Sequence, residues 1–153
     1  MTKTNAAGIE LICRNEGCGL AAYKCPAGIW TIGFGHTGPD VKPGRVITRE
    51  EAEHLLADRL EREFEPAVLN AIGDAPTTEN QFAAMVSLAY NIGVGGFRRS
   101  TVARKHCEGD YEAAAKAFSM WVKAGDRTLA GLVRRRKEEA DLYLTDLYEK
   151  DGE

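Results

Sequence analysis

Two Thr-x-x-Glu/Gln motifs mark the starts of two long helices. They are Thr48-Arg49-Glu50-Glu51 and Thr78-Glu79-Asn80-Gln81. In such a capping box the threonine hydroxyl accepts a hydrogen bond from the amide three residues later, and the side chain at that position bonds back to the threonine amide. Apolar residues then recur every three to four positions, as on one face of a helix. We predict a helix from Thr48 that is interrupted at Pro66, and a central buried helix from Thr78 that ends at Gly93.

Shorter helices should precede and follow these two. We predict one from Thr4 to Arg14, one capped by Ser100, and one that starts at Asp110, runs through Trp121 and ends at Gly125, while Gly93 to Gly96 should form a turn. The last helix should run from about Leu129 to Leu147. Its predicted buried stripe is nearly all apolar: Leu132, Val133, Arg136, Ala140, Tyr143, Leu144 and Leu147.

The segment between Leu20 and His36 has a different character. It is rich in strand-forming residues, and Cys25-Pro26-Ala27-Gly28 supplies a turn, so we predict a β-hairpin followed by a loop from Thr37 to Gly44. The chain is therefore an α+β protein dominated by helix. The 153 residues suit a single domain, with a hairpin lobe at about 15–47 and a helical lobe at about 48–150 plus the N-terminal helix. We expect a cleft between the lobes.

Charge and composition narrow the range of partners. The 20 basic and 23 acidic residues give a net charge of -3, which argues against a nucleic-acid partner. We interpret the two basic runs, 98–105 and 134–137, as solvated helix faces, with binding of an anionic polymer as the alternative. We expect a monomer without a metal, a cofactor or a membrane anchor, because no apolar stretch approaches the ~20 residues of a membrane span and no Cys-x-x-Cys pair occurs.

Three polar residues suggest chemistry when they are taken together. Glu16 ends the first helical segment, Cys25 lies in the hairpin turn, and Thr31 lies on the returning strand. Cleavage of a glycosidic bond needs an acid on one face of the sugar and a second polar group on the other. Taken singly, each residue also has an ordinary structural explanation: a surface carboxylate, a small hydrophobic residue and a strand former.

A family resemblance joins these residues. The chain is similar to the phage lysozymes, the endolysins of glycoside hydrolase family 24, over most of its length. The similar segments are Glu16-Gly17, Leu20-Ala21-Ala22-Tyr23-Lys24, Trp30-Thr31-Ile32-Gly33-Phe34-Gly35-His36, the Thr48 box, Asn80-Gln81-Phe82, Asn91-Ile92-Gly93-Val94-Gly95 and Gly131-Leu132-Val133-Arg134-Arg135-Arg136. The nine- and six-residue spacings from Glu16 to Cys25 to Thr31 fit the same pattern.

The resemblance implies a lysozyme-like fold and a muramidase that cleaves the β-1,4 bond between N-acetylmuramic acid and N-acetylglucosamine in bacterial peptidoglycan. Glu16 matches the general acid, Cys25 the position where aspartate is commoner, and Thr31 the residue that orients the attacking water. Asn91 matches a position that lines the cleft, and Gly35 and His36 are further candidates for substrate binding. Such an enzyme is made in the host bacterial cytoplasm and acts on the cell wall in the periplasm, where it lyses the host.

Two other functions remain open at this point. A Cys25–His36 dyad would suit a cysteine amidase that cuts the peptide stems, although the resemblance makes His36 a structural residue paired with an acid. A cell-wall-binding module without catalysis would explain the cleft, but not the spacing of Glu16, Cys25 and Thr31.

The cysteines suggest control of the same site. Some endolysins similar to this chain are silenced by a disulfide of the catalytic cysteine until thiol exchange releases it. We therefore hypothesise a Cys18–Cys25 disulfide, with Cys13 as the exchange partner of Cys18. The alternative is that all of these thiols stay reduced.

Overall fold

The computed structural model describes residues 3–147, which are mainly helical with two small sheets. The predicted α+β class is confirmed. The end of the predicted helical lobe, beyond residue 147, lies outside the described residues. In chain order the elements are α1 (Ala6–Glu16), β1 (Gly19–Lys24), β2 (Trp30–Gly33), β3 (His36–Thr37), α2 (Arg49–Arg59), α3 (Glu65–Ile72), α4 (Glu79–Ile92), α5 (Val94–Arg98), α6 (Thr101–Cys107), α7 (Tyr111–Ala117), β4 (Lys123–Ala124), β5 (Arg127–Thr128) and α8 (Ala130–Leu144).

Both capping boxes form as predicted. At the start of α2 the Thr48 hydroxyl accepts a hydrogen bond from the Glu51 amide, and the Glu51 carboxylate accepts one from the Thr48 amide, both at 3.0 Å. Thr78 and Gln81 repeat the arrangement at the start of α4. Residues 81–89 of α4 are all buried, so α4 is the central helix, and it ends before Gly93 as predicted.

The predicted interruption of the second helix at Pro66 is wrong. The chain stays helical from α2 through a π-helical turn, Leu60–Phe64, into α3. Proline removes an amide donor and clashes with the carbonyl four residues earlier, and the wider π turn just before it relieves this conflict. The Glu65 amide accordingly bonds to the Leu60 carbonyl, five residues back. One buried face continues along the whole length: Leu56, Leu60, Phe64, Val68 and Ile72.

Several other boundaries differ from the sequence-based expectation. The first helix ends at Glu16, not Arg14, and residues 94–98 form α5 where a turn was predicted. The helix expected to reach Trp121 ends at Ala117 and continues as a 3-10 turn, Phe118–Met120. Gly125 does not end a helix, because it lies in the tight turn that joins β4 to β5. Two-residue strands carry too little periodicity to be recognised in a sequence.

The predicted hairpin forms and gains a third strand. The sheet order is β1-β2-β3, all antiparallel, with Tyr23 opposite Thr31 and Ile32 opposite His36. The Cys25 amide donates to the Ile29 carbonyl at 2.9 Å and thereby closes the turn between β1 and β2. Ile32 and Phe34 are buried in the same core as α2 and α4, so the sheet is fixed against the helices.

Helix α8 buries Arg136 and Tyr143 of the predicted stripe, but it also buries Arg135 and Glu139, which the prediction left out. Its buried residues are Arg135, Arg136, Glu139 and Tyr143, whereas Val133 is 47% exposed and Leu144 37% exposed. The interpretation of residues 134–137 as a solvated face is therefore wrong for Arg135 and Arg136, but holds for Arg134 and Lys137. Helix α8 packs against α4 and α1, and its buried charges consequently lie near the end of α1.

Candidate active site

Glu16 lies at the last position of α1 and turns back toward α8. The amide of Gly17 caps α1 through the Cys13 carbonyl at 3.1 Å, which ends the helix directly after Glu16. The Glu16 side chain is 20% exposed, and its Oε2 accepts a hydrogen bond from Arg135 Nη1 at 2.7 Å. One carboxylate oxygen is thus bound on the protein side.

The other oxygen of Glu16 faces the turn between β2 and β3. Gly35 has a φ of 84°, and a β-carbon placed on it would lie 2.8 Å from Glu16 Oε1. Only glycine allows this close approach together with a positive φ. Gly35, a candidate for substrate binding, therefore lies beside the proposed acid.

A buried ionic network holds Arg135 in place. Arg135 donates to Glu139 Oε2 at 3.2 Å and to the Ser87 carbonyl at 3.2 Å. Glu139 is fully buried and also accepts from Arg136 at 3.0 Å and from the Ser87 hydroxyl at 2.5 Å. Burial raises the pKa of Glu139, and the two arginines oppose that rise.

The sequence reading missed Arg135 and Glu139 as site residues. Two arginines that lie three and four residues before a glutamate share one helix face, so their spacing already predicts contact within α8. What it does not predict is burial, because charged side chains are almost never fully buried unless they are paired. The burial of Arg135 depends on its partner Glu16, which lies 119 residues away in the sequence.

Tyr90 joins α4 to the same turn. Its hydroxyl donates to the Phe34 carbonyl at 2.6 Å, next to Gly35. Burial and, after it, the negative charge of Glu16 raise the pKa of Tyr90, so its hydroxyl keeps its proton and stays a donor. The Tyr90 ring packs against the core and makes an edge-on contact with Phe64, at 5.0 Å between ring centroids.

Cys25 and Thr31 lie together at the other end of β2. Thr31 is buried, and its hydroxyl has two acceptors within reach, the Ile29 carbonyl at 3.0 Å and the Cys25 sulfur, to one of which at a time it donates its single proton. Cys25 is half-buried, and hydrogen bonds to its sulfur, first from the backbone of Ile29 and also from the Thr31 side chain, lower the pKa of its thiol. The turn therefore favours the thiolate, the form that can accept a proton.

The remaining candidates fall in different places. Asn91 is exposed and lines a pocket of about 300 Å³ together with Glu16 and Arg135. His36 does not line that pocket: its Nε2 lies 3.1 Å from Asp40 Oδ2, and His36 lines a separate pocket together with Arg59. His36 thus has the acid partner that the structural interpretation predicted.

The sheet bears on two proposed partners of Cys25: His36 in a dyad and Cys18 in a disulfide. Cys25 pairs with Ile29, and His36 pairs with Ile32 on the opposite side of β2. Two strand spacings alone place their backbones about 10 Å apart, so the two residues do not form a dyad. Cys18 and Cys25 lie just beyond the two ends of β1, whose pairing with β2 is irregular between Gly19 and Tyr23, and no disulfide joins them. All four cysteines are free thiols.

Among residues 3–147, no group of three or more histidine, cysteine, aspartate or glutamate side chains is arranged to hold a metal ion. Within the same residues, no helix is long and apolar enough to cross a membrane.

Comparison with known proteins shows which family the chain is similar to. The family model described as phage lysozyme matches residues 13–139. An endolysin of Acyrthosiphon pisum secondary endosymbiont phage 1 is 44% identical over 140 residues, which cover 89% of this chain and 94% of that protein. An endolysin of Bacillus phage B103 is 42% identical, and the match covers 91% of this chain but 53% of that longer protein.

Solved structures agree with the fold. The muramidase domain of SpmX from Asticaccaulis excentricus superposes with a TM-score of 0.88 at 40% identity, over 95% of this chain and 99% of that one. The active form of the P1 phage endolysin Lyz gives a TM-score of 0.85 at 30% identity, over 94% and 86% of the two chains. The secreted inactive form of Lyz gives 0.60 at 28% identity, over 95% and 97%. The lysozyme-like fold is thus confirmed, and the arrangement is closer to the active form.

Proposed function

The chain belongs to the phage lysozyme family, and we propose that it is an endolysin that hydrolyses the β-1,4 bond between N-acetylmuramic acid and N-acetylglucosamine in bacterial peptidoglycan. We further propose that it acts as one lysozyme domain of glycoside hydrolase family 24, in the variant with Cys25 at the position of the commoner aspartate. In this proposal it is made in the host cytoplasm and lyses the host by acting on the wall from the periplasm.

One observation carries the proposal: the Glu16 carboxyl lies at a pocket wall with one oxygen bound and the other facing the turn. Because Oε2 accepts from Arg135, the proton of a general acid resides on Oε1. Glu16 donates that proton to the glycosidic oxygen as the bond between this oxygen and the anomeric carbon breaks. The hydrogen bond from Arg135 orients Glu16 throughout.

Cys25 and Thr31 supply the second half of the reaction. A water molecule on the opposite face of the sugar attacks the anomeric carbon and loses a proton to the Cys25 thiolate. The lowered pKa of Cys25 and the neighbouring hydroxyl of Thr31 support this role. The product has inverted configuration, Glu16 is left ionised, and Cys25 is left protonated until solvent restores both groups.

Redox control through Cys18 and Cys25 requires a movement of the backbone as well as a disulfide bond. Since β1 lies between the two cysteines in the chain and their thiols are not joined, the proposed disulfide requires this segment to rearrange. Thiol exchange with Cys13 then frees Cys25, and β1 pairs with β2. Lysis should therefore depend on reductant in the wild type and not in Cys18→Ser; equal lysis in all samples contradicts this control.

Product analysis tests the reaction type. Digestion of purified peptidoglycan should release new reducing sugar ends at the muramic acid residue and no new amino groups. New amino groups would indicate the amidase, anhydro-sugar ends a transglycosylase, and no products a binding module. Each of these three results contradicts the proposed hydrolysis.

A further inference from the structure

A second pocket extends the Glu16 pocket toward the β4–β5 hairpin. The two pockets share three lining residues, Asn91, Leu129 and Leu132. The second has a volume of about 460 Å³, and Trp121 and Lys123 are among its other lining residues. The groove is therefore continuous from Glu16 to strand β4.

Two basic side chains that line this groove form no ion pair within residues 3–147. Lys123 lines the second pocket and Arg134 the first, and both side chains are exposed. In the described part of the chain neither forms an ion pair, whereas Arg135 is paired with Glu16 and Glu139. No acidic residue lines the second pocket. The groove is therefore positively charged beyond the acid, although the protein as a whole has a net charge of -3.

We propose that the groove beyond Glu16 binds the peptide stem of the muramic acid residue, and that Lys123 and Arg134 bind the carboxylates of that stem. The inference rests on the proposed function. The glycan backbone of alternating N-acetyl sugars offers no charge for these cations, while the stem carries free carboxylates. The stem is attached to one of the two sugars that the cleaved bond joins. Its point of attachment therefore lies close to Glu16.

The walls of the groove suit such a ligand. Ile92, Leu132 and the half-buried ring of Trp121 form apolar surface beside the two cations. A short peptide with alkyl side chains and carboxylates matches this combination of apolar contact and a few polar groups. Lys123 and Arg134 thus contribute to substrate affinity, and the chemical step stays with Glu16, Cys25 and Thr31.

Three soluble substrates separate the contributions: uncross-linked peptidoglycan strands, the same strands with their stem carboxylates amidated, and strands freed of peptide. The readout is KM and kcat from release of reducing ends. For the wild type, KM should be lowest on the native strands and several-fold higher on the other two, since a charge-assisted hydrogen bond contributes modestly in a groove open to water.

Lys123→Gln is the test variant and Lys116→Gln its matched control. Lys116 is an exposed lysine without an ion pair in residues 3–147, and it lines neither pocket of the groove. Lys123→Gln should raise KM on native strands about fivefold with kcat unchanged, and leave KM on amidated strands unchanged. Lys116→Gln should match the wild type on all three substrates.

Two results would overturn the inference. One is an equal rise of KM for Lys123→Gln on native and amidated strands; the other is a KM on native strands no higher than that of Lys116→Gln. Failure of the proposed function looks different, because the wild type would then release no reducing ends from any substrate.

Discussion

At the scale of single residues, the site depends on how closely the Gly35 turn approaches Glu16. Oε2 of Glu16 is bound to Arg135, and Oε1 lies 2.8 Å from the position of a β-carbon on Gly35. The carboxyl group cannot move away without breaking its contact with Arg135. Position 35 therefore requires glycine for two reasons: a larger residue would collide with the Glu16 carboxyl group, and the backbone there has a positive φ.

Gly35→Ala tests this dependence. We expect kcat to fall about a hundredfold, because a small displacement of a catalytic group is enough for such a loss. Gly44→Ala is the control, since Gly44 has a φ of 87° and nothing within 4 Å of the added carbon. Both variants should lose about 1 kcal/mol of unfolding free energy from backbone strain. Equal kcat values for the two would contradict the role of the close approach.

Cys25 makes a prediction about pH. The hydrogen bonds from Ile29 and Thr31 lower the pKa of its thiol, so activity should rise with pH as the thiolate forms, at a lower pH than for an ordinary cysteine. In Cys25→Asp the base ionises near ~3.9, so the acidic limb of the kcat profile should move to lower pH. Cys25→Ser should lose about a hundredfold in kcat across the range. Coinciding limbs in the wild type and Cys25→Asp would show that Cys25 is not the base.

At the scale of elements, sequence rules worked where a local interaction decides the structure. The two capping boxes satisfy their amides within four residues, and both helix starts were correct. The interruption at Pro66 was wrong because a π turn, which has no sequence signature, absorbs the proline. The stripe on α8 was correct for Arg136 and Tyr143 but omitted Arg135, which is buried against Glu16 and Ser87 from other helices.

Helix α6 carries a second pH-dependent group. His106 is fully buried, and burial lowers its pKa to about 4. The Thr77 hydroxyl donates to the Ala75 carbonyl, so its oxygen accepts from His106 Nε2 at 2.8 Å, and His106 Nδ1 accepts from the Tyr143 hydroxyl at 2.6 Å. The neutral ring thus has a partner for each nitrogen and ties α6 to α8.

The unfolding free energy should fall as pH drops from about 6.5 toward about 4. In that range the unfolded chain takes up a proton on His106 and the folded chain does not, so up to about 3 kcal/mol is lost. Urea unfolding at pH 7 and pH 4.5 measures the difference. His106→Gln should reduce it, and His54→Gln, at an exposed position on α2, should not. The same pH dependence in both variants would contradict this assignment.

At the scale of the whole molecule, the predicted class of fold is confirmed, the three catalytic candidates Glu16, Cys25 and Thr31 stay predictions, and the contact of Glu16 with Arg135 was missed. Cys25 and Thr31 are brought together by one turn, so their spacing was informative. The contact between Glu16 and Arg135 joins α1 to α8, and no local pattern encodes it. The hairpin β4–β5 was missed because its two-residue strands carry too little periodicity, although it provides one wall of the groove.

The central claim is that Glu16 is the acid of a glycoside hydrolase. Its most direct test is the rate of reducing-end release from purified peptidoglycan by Glu16→Gln, beside Glu10→Gln, an exposed glutamate of the same helix. Glutamine keeps an oxygen for Arg135, but its amide group has no acidic proton to transfer to the glycosidic oxygen. The account predicts a loss of about a thousandfold for Glu16→Gln and a wild-type rate for Glu10→Gln. A folded Glu16→Gln protein that keeps its rate within about tenfold would contradict it.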